Sequence, residues 1–531
     1  MRFCLVVLLL VAGCPATGPA TQRVANPPPP VKPAPPPPGT VPPGALPPKL
    51  VVLFIVDQLP QWAFTAKRPA LTGGFDRLLR EGEWITGVHP SAATRTAPGH
   101  ALLGTGAPPS VSGIIGNTWW DRDAQAVVDA VRDAKGVLTT ARLRVPGLGD
   151  AMAAAKTGGK AIAISLKERA SILTLGHAGT AIWYDSKAIA WTSLAPVPWL
   201  AEHNRTKPIK SRLTEVWKPL DPAQLATSSG VTDDAPGEVG DVGFGATFPH
   251  DPAATKNPAS TVYASPLGNE LVLEAATAAL DAEQLGADDA ADLLVISLSA
   301  NDYIGHAWGQ ESWEAWDSML RIDRRLVAFL DALDARAGAG RWALIATSDH
   351  GASPMPKGTI TYPQIKDAAN KAAATELGTG DWIADATFPH VYLTKSALAQ
   401  KDVKKALRKI IFALRSFPGM GNVVRTVDVA GRCEGRTGEA RLLCLAVDPQ
   451  RAGELTYVPA PGWVFGSDTL HATAHGGYHA YDREVPVILV SPGRIAHEPR
   501  ATPSDTRIGM EEITAVLARW LGIAHPRDLP R

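Results

Sequence analysis

Carboxylates and imidazoles gather at four places in this chain, and three of them follow short apolar runs. Asp57 ends the run Leu50–Val56, and Asn301-Asp302-Tyr303-Ile304-Gly305-His306 follows Leu293–Ser299. Asp349-His350-Gly351 comes just after Trp342–Ala346. Asp302 and His306 can close on one ion over a single helical turn, and the adjacent Asp349 and His350 converge only where the chain bends sharply. The fourth place, His471-Ala472-Thr473-Ala474-His475-Gly476-Gly477-Tyr478-His479, offers three imidazoles, His475 among them, and composition does not choose between them. Mixed nitrogen and oxygen donors suit two zinc-like divalent ions better than calcium, which prefers all-oxygen shells. Such a pair of ions performs hydrolysis.

The elements that must position these groups read as an α/β fold. Apolar runs of this length, bounded by polar turns, are buried parallel strands, and sites in open α/β sheets assemble beyond the strands' carboxyl ends. The pattern predicts strands at 50–56, 160–165 and 485–490. It predicts helices near 73–81, 146–156, 269–280, 311–336 and 510–521, and a hairpin over 181–191 turning at Asp185-Ser186. Residues 192–263, rich in Pro, Thr, Asp and Gly, read as an irregular insertion. A second insertion, about 353–470, contains a strand at 389–393, a helix at 401–415 and a strand at 422–427, a small βαβ-like unit.

Thr96 lies in Thr94-Arg95-Thr96-Ala97-Pro98-Gly99-His100, a loop leading into a helix. A hydroxyl there sits where backbone N–H groups point at anions, and a bound metal can turn it into a nucleophile. Capping the helix is the plainer role for such a threonine.

With 531 residues, 45% hydrophobic and 20% charged, the chain can bury a large core, and global disorder is excluded. Lys+Arg and Asp+Glu both number 52, so nothing in the charge points to nucleic acid, and attraction for an anionic substrate must be local. Met1-Arg2 and the apolar run to Gly13 have the form of an export signal, too short to span a bilayer. Val11-Ala12-Gly13-Cys14 resembles a bacterial lipoprotein cleavage box, which makes Cys14 the expected lipidation site; the alternative is an ordinary signal peptide cut later. Residues 15–48 form a Pro-rich tether. In an exported chain Cys433 and Cys444 are expected to pair as a disulfide.

Val56-Asp57-Gln58, Thr96-Ala97-Pro98-Gly99-His100, Gly113-Ile114-Ile115-Gly116-Asn117, Asp302–His306, Ser348-Asp349-His350-Gly351 and His475-Gly476, in this order, resemble the alkaline phosphatase superfamily. Within it the chain is similar to the phosphate-irrepressible (PafA-like) alkaline phosphatases, which use Thr as nucleophile. The resemblance runs from about Lys49 to Gly493. It implies a three-layer α/β/α sandwich around a mostly parallel sheet, with inserted cap or lid segments in a catalytic domain over 49–527. It implies two zinc ions, one held by Asp57, Asp349, His350 and the Thr96 oxygen, the other by Asp302, His306 and His475. His471 and His479 then become neighbours, not ligands.

The same resemblance makes Asn117, Lys167 and Arg169 the groups that hold the phosphoryl oxygens. Two cations favour the extra charge of a monoester over a diester. The implied enzyme is an exported phosphomonoesterase working through a phospho-Thr96 intermediate; a nucleotide pyrophosphatase/phosphodiesterase-type diester hydrolase is the alternative. A sulfatase would carry a Cys/Ser-x-Pro-x-Arg box, which Thr96–His100 lacks. The expected setting is the envelope of a bacterium, periplasmic and lipid-anchored or else secreted, as a monomer acting on small phosphoesters.

Overall fold

The computed structural model describes residues 37–133, 135–466 and 471–530. The expected signal peptide, the Cys14 lipidation site and most of the Pro-rich tether fall outside these residues. No helix among the described residues is long and apolar enough to cross a membrane.

Nine strands form one sheet: β1 (Leu50–Val56), β2 (Glu83–Val88), β3 (Ala161–Ser165), β4 (Thr180–Asp185), β5 (Ala190–Ser193), β6 (Asp292–Leu298), β7 (Trp342–Thr347), β8 (Glu484–Val490) and β9 (Arg507–Gly509). Their spatial order is β9-β2-β8-β7-β1-β6-β3-β4-β5. The five central strands β7, β1, β6, β3 and β4 are parallel to one another. β8 runs antiparallel to both β7 and β2, and β4–β5 is the expected hairpin, with Asp185 opposite Ala190.

β1 is buried along its whole length because both of its faces are covered. Val52, Phe54 and Val56 pack on one side with helices α3 (Pro266–Ala282) and α5 (Trp313–Ala337). Val51, Leu53 and Ile55 pack on the other with α1 (Thr96–Thr105) and the C-terminal helix Ile513–Leu521. Burying each such side chain contributes about 1.5–3 kcal/mol, which is why the central strands read as continuous apolar runs. This is the expected three-layer α/β/α sandwich. Ile55 stands opposite Ser297 and Thr347, and Ser165 opposite Ser297, so the central strands end level with one another.

The stretch 192–263 is less irregular than its sequence suggests, since it holds helices Pro198–Thr206 and Pro222–Ser229 between turns. In the second insertion the βαβ-like reading needs correction. His390–Leu393 and Met420–Arg425 flank the helix Val403–Arg415 as expected, but Leu455–Pro459 lies between them and pairs antiparallel with both. The unit is a split βαβ within a four-stranded antiparallel sheet. The inserted strand follows later in the same insertion, beyond the helix Gly438–Ala446, so local periodicity does not reveal where it pairs.

Candidate active site

The level ends of β1, β6, β7 and β3 set the site. Asp57 follows β1 directly, and its N–H donates to the Leu298 carbonyl at the end of β6. After β6 the chain turns into α4 (Ala300–Trp308), which places Asp302 and His306 one turn apart on the same face. After β7, Ser348 Oγ donates to the His350 carbonyl (2.7 Å) and accepts from the Leu59 N–H (2.9 Å). This holds the bend that brings Asp349 and His350 together. Lys167 caps α2 (Glu168–Leu175) just beyond β3.

Thr96 is the first residue of α1, whose ten residues are all buried. A Cβ at Gly99 would lie 2.1 Å from the Asp349 carbonyl oxygen, so only glycine lets the Thr96 helix lie against that bend.

Two groups of ligand-type side chains converge here: Asp57, Asp349 and His350, and Asp302, His306 and His475. In the first, His350 Nε2 lies 3.4 Å from Asp57 Oδ1 and 3.4 Å from Asp349 Oδ2. These three atoms are buried and none has a hydrogen-bond partner. His100 Nδ1 is 3.2 Å from Asp349 Oδ2, but its hydrogen bond goes to the Thr96 carbonyl (2.9 Å). In the second group His306 Nε2 and His475 Nε2 lie 3.3 and 3.4 Å from Asp302 Oδ1.

Each ligand-type imidazole bonds a backbone carbonyl through Nδ1: His306 to Thr473 (2.9 Å), His475 to Thr94 (2.7 Å) and His350 to Gly351 (3.0 Å). Such bonds make Nδ1 the protonated nitrogen and turn the Nε2 lone pair inward, the usual outer-shell support of a metal-binding histidine. Of the three histidines, His475 is the one whose ring nitrogen converges with Asp302 and His306. His479 commits its Nε2 to the Pro459 carbonyl (2.9 Å), and the His471 ring lies tilted 5.3 Å from that of His306. The rings of His350 and His475 stack at 3.7 Å and join the two groups.

Three carboxylates are buried here with one ammonium. Lys167, 2% exposed, donates to Asp57 Oδ2 (2.7 Å) and Asp302 Oδ2 (2.6 Å), one carboxylate from each group. Burial would lower the Lys167 pKa, but Asp302 and Asp57 raise it. Burial opposes the charge on Asp302 as well, yet Lys167 and His306 hold that carboxyl well below the usual range. Asp57 goes the other way, pushed up by burial and by Asp349. Burial holds His350 down to about 3, so its imidazole is neutral and can act as a ligand. Buried charge that lacks a partner is costly, and the site meets that cost by pushing Asp57 toward its neutral form while Asp302 and Asp349 stay low. Divalent cations bound among the unpartnered oxygens and nitrogens would remove that cost, so the residues fit the implied metals.

Asn117 Oδ1 accepts from the Ala97 N–H (2.8 Å), which leaves its amide nitrogen without a protein partner among the described residues. Arg169 lies near Lys167 and Tyr303, and its Nε has no partner. The sequence reading gave no role to Gln58, His100, Tyr303 or Gln310. Gln58, His100 and Tyr303 stood inside quoted motifs without a role of their own, and Gln310 carried no recognisable signal. Away from the site, Cys433 and Cys444 form the expected disulfide.

The family model for type I phosphodiesterase / nucleotide pyrophosphatase matches residues 51–482. The alkaline phosphatase PafA of Elizabethkingia meningoseptica is 28% identical over 482 residues, covering 84% of this chain and 87% of its own. A Myroides odoratus protein named as a calcium-transporting ATPase is 29% identical, covering 90% and 92%. The alkaline phosphatase PhoV of Synechococcus elongatus is 35% identical, covering 58% and 60%. The crystal structure of wild-type PafA superposes with a TM-score of 0.78 at 27% identity, covering 92% of this chain and 98% of that one. Murine ectonucleotide pyrophosphatase/phosphodiesterase 5, at 14% identity and a TM-score of 0.53, shares the fold.

Proposed function

The chain belongs to the type I phosphodiesterase / nucleotide pyrophosphatase family, and from that premise we propose that it is an alkaline phosphatase of the PafA kind, transferring the phosphoryl group of monoesters to Thr96 and then to water. The observation that carries this reading is the pair of converging groups beside Thr96, with Asp57 Oδ1, Asp349 Oδ2 and His350 Nε2 buried and unpartnered. Asp57, Asp349 and His350 would hold one divalent cation, and Asp302, His306 and His475 the other, with zinc favoured by the mixed donors. Bound there, the two cations would supply Lewis-acid charge to the attacking and departing oxygens.

The chain's own residues do the rest. The rigid, buried helix start fixes Thr96, whose Oγ attacks phosphorus in line with the ester oxygen. The Oγ–P bond forms as the ester P–O bond breaks, and the alcohol leaves. Water then attacks the phospho-Thr96, restoring the hydroxyl and releasing inorganic phosphate. The overall reaction is ester plus water to alcohol plus phosphate. Asn117 Nδ2, Lys167 and Arg169 face the non-bridging oxygens, whose charge persists through a loose transition state. Two cations and an amide donor reward the doubly charged monoester over the singly charged diester. The proposal extends to export through the N-terminal signal, lipid attachment at Cys14, residence in the bacterial envelope as a monomer, and a catalytic domain over 49–527. The insertions 192–263 and 353–470 shape the choice of ester.

Purified protein assayed on a nitrophenyl phosphate, a bis-nitrophenyl phosphate and a nitrophenyl sulfate tests the reading. The monoester should be turned over fastest, and acid-quenched enzyme should carry phosphothreonine at position 96. Thr96→Ala should lose turnover, on the order of 10³-fold or more as for other nucleophile deletions, with metal content unchanged. A preference for the diester, or normal turnover by the alanine variant, contradicts it.

A further inference from the structure

Gln58, directly after Asp57, is fully buried and adopts a left-handed backbone, φ 62°, uncommon for a residue other than glycine. Strained conformations of this kind persist where the surroundings over-determine them, and they cluster at functional sites. Here the strain has an identifiable return. The Gln58 backbone N–H points at Asp349 Oδ1 (3.3 Å), and its side-chain Nε2 donates to Asp302 Oδ1 (2.8 Å). One residue therefore touches a carboxylate of each converging group.

The Gln58 amide is itself held. Gln310, 1% exposed, donates from Nε2 to Gln58 Oε1 (3.0 Å) and to the Gln58 carbonyl (2.9 Å). The Gln310 carbonyl accepts from the buried Lys67 ammonium. Helix α4 is cut away to admit this amide pair: a Cβ at Gly305 would lie 2.0 Å from Gln58 Oε1 and 2.6 Å from Gln310 Nε2. With Gln58 Nε2 on Oδ1 and Lys167 on Oδ2, the Asp302 carboxylate is fixed in rotation, and Oδ1 faces His306 and His475. An amide donor does this without adding charge, so the site keeps its negative potential.

We infer that Gln58 is a positioning residue that spans the two metal-binding groups, its side chain orienting Asp302 for the Asp302–His306–His475 ion while its backbone steadies Asp349. This rests on the two-cation reading of the site. Gln58→Gly tests it, because glycine tolerates the positive φ, keeps the N–H to Asp349 and removes only the amide that reaches Asp302.

The readout is metal affinity, measured on full-length holoenzyme by competition with a chromophoric zinc chelator. Outer-shell partners are worth about 10–100-fold in metal affinity. In Gln58→Gly one of two zinc equivalents should weaken by about that factor while the other keeps its wild-type affinity. The weakened ion should be the one that His306→Ala also removes. Gln310→Met, which frees the amide without deleting it, should reproduce the asymmetry more weakly, and it serves if the glycine variant does not fold.

Equal weakening of both ions would mark Gln58 as a packing residue, and two ions of unchanged affinity would give it no role; either result overturns the inference. A wild-type protein that binds no zinc would instead overturn the two-cation reading, and this inference with it.

Discussion

The molecule buries acid and imidazole together in two regions, and they are built in opposite ways. Where the insertion at 192–263 packs on helix α5, His250 Nε2 and Glu314 Oε1 lie 2.9 Å apart, ringed by Trp217, Phe248 and Trp308 at 4.7–5.0 Å from the histidine. Burial drives the Glu314 carboxyl up to about 9 and the His250 imidazole down to about 4, so the pair stays neutral across ordinary pH. At the carboxyl edge of the sheet, His350 Nε2 lies 3.4 Å from two carboxylates and bonds to neither. There burial raises the Asp349 carboxyl, yet His100 and Lys167 help hold it below the usual carboxylate range. The first region sheds its charge, although His250 Nδ1 and Glu314 Oε2 also lack hydrogen-bond partners. The second keeps Asp302 and Asp349 low against their burial and turns three unpartnered ligand atoms, Asp57 Oδ1, Asp349 Oδ2 and His350 Nε2, toward one another, the arrangement of a site completed by a cation.

The strongest way to break that comparison is to remove a charged member of the second region. Asp349→Ala should weaken the neighbouring ion by more than about 100-fold, since even outer-shell partners are worth 10–100-fold, and phosphomonoesterase activity should fall with it. Titration with a chelator checks the first effect and a nitrophenyl phosphate assay the second. Lys167→Met sharpens the comparison from the cationic side. A hydrogen bond to a charged group is worth about 1.5–3 kcal/mol, so monoester kcat/KM should drop by about 10–100-fold and diester kcat/KM by much less. Equal losses on the two substrates would contradict the phosphate-binding role of Lys167.

The smallest effect belongs to the neutral region. Below a pH near 4.5 Glu314 is protonated in both folded and unfolded chains. As pH rises toward about 9 the unfolded chain gains by ionising and the folded one does not, so stability falls across that window. Glu314→Gln carries no such proton. Its unfolding midpoint should exceed that of the wild type at mildly alkaline pH, and the difference should shrink toward pH 5, with metal content and turnover unchanged. A constant difference at every pH would show that Glu314 is ionised in the fold.

The two regions also differ in how far they can be read from sequence. Asp57, Asp349 and His350 directly follow or closely trail fully buried strands, and such runs announce both the strand and the place where it ends. Asp302 and His306 are legible for the same reason, helped by their helical spacing. His475 is not, because it returns to the site after a long insertion and stands between two other histidines. Its selection depends on which ring can bond the Thr94 carbonyl, a contact across 381 residues. Gln58 and Gln310 are neutral amides with no distinctive spacing, and what gives them a role is the space left by Gly305. In the fold, β2 and β9 went unread: β2 is short and interrupted by Gly87, and β9 has only three residues. The neutral His250–Glu314 pair joins two elements 64 residues apart, and no local pattern marks it.

The most direct test of the account is the transition-metal content of the wild type, Asp349→Ala and His306→Ala after identical dialysis. Two converging groups predict two equivalents per chain in the wild type and about one in each variant, with a different ion lost in each case. A wild type that retains no metal, or variants that both keep two, would contradict it.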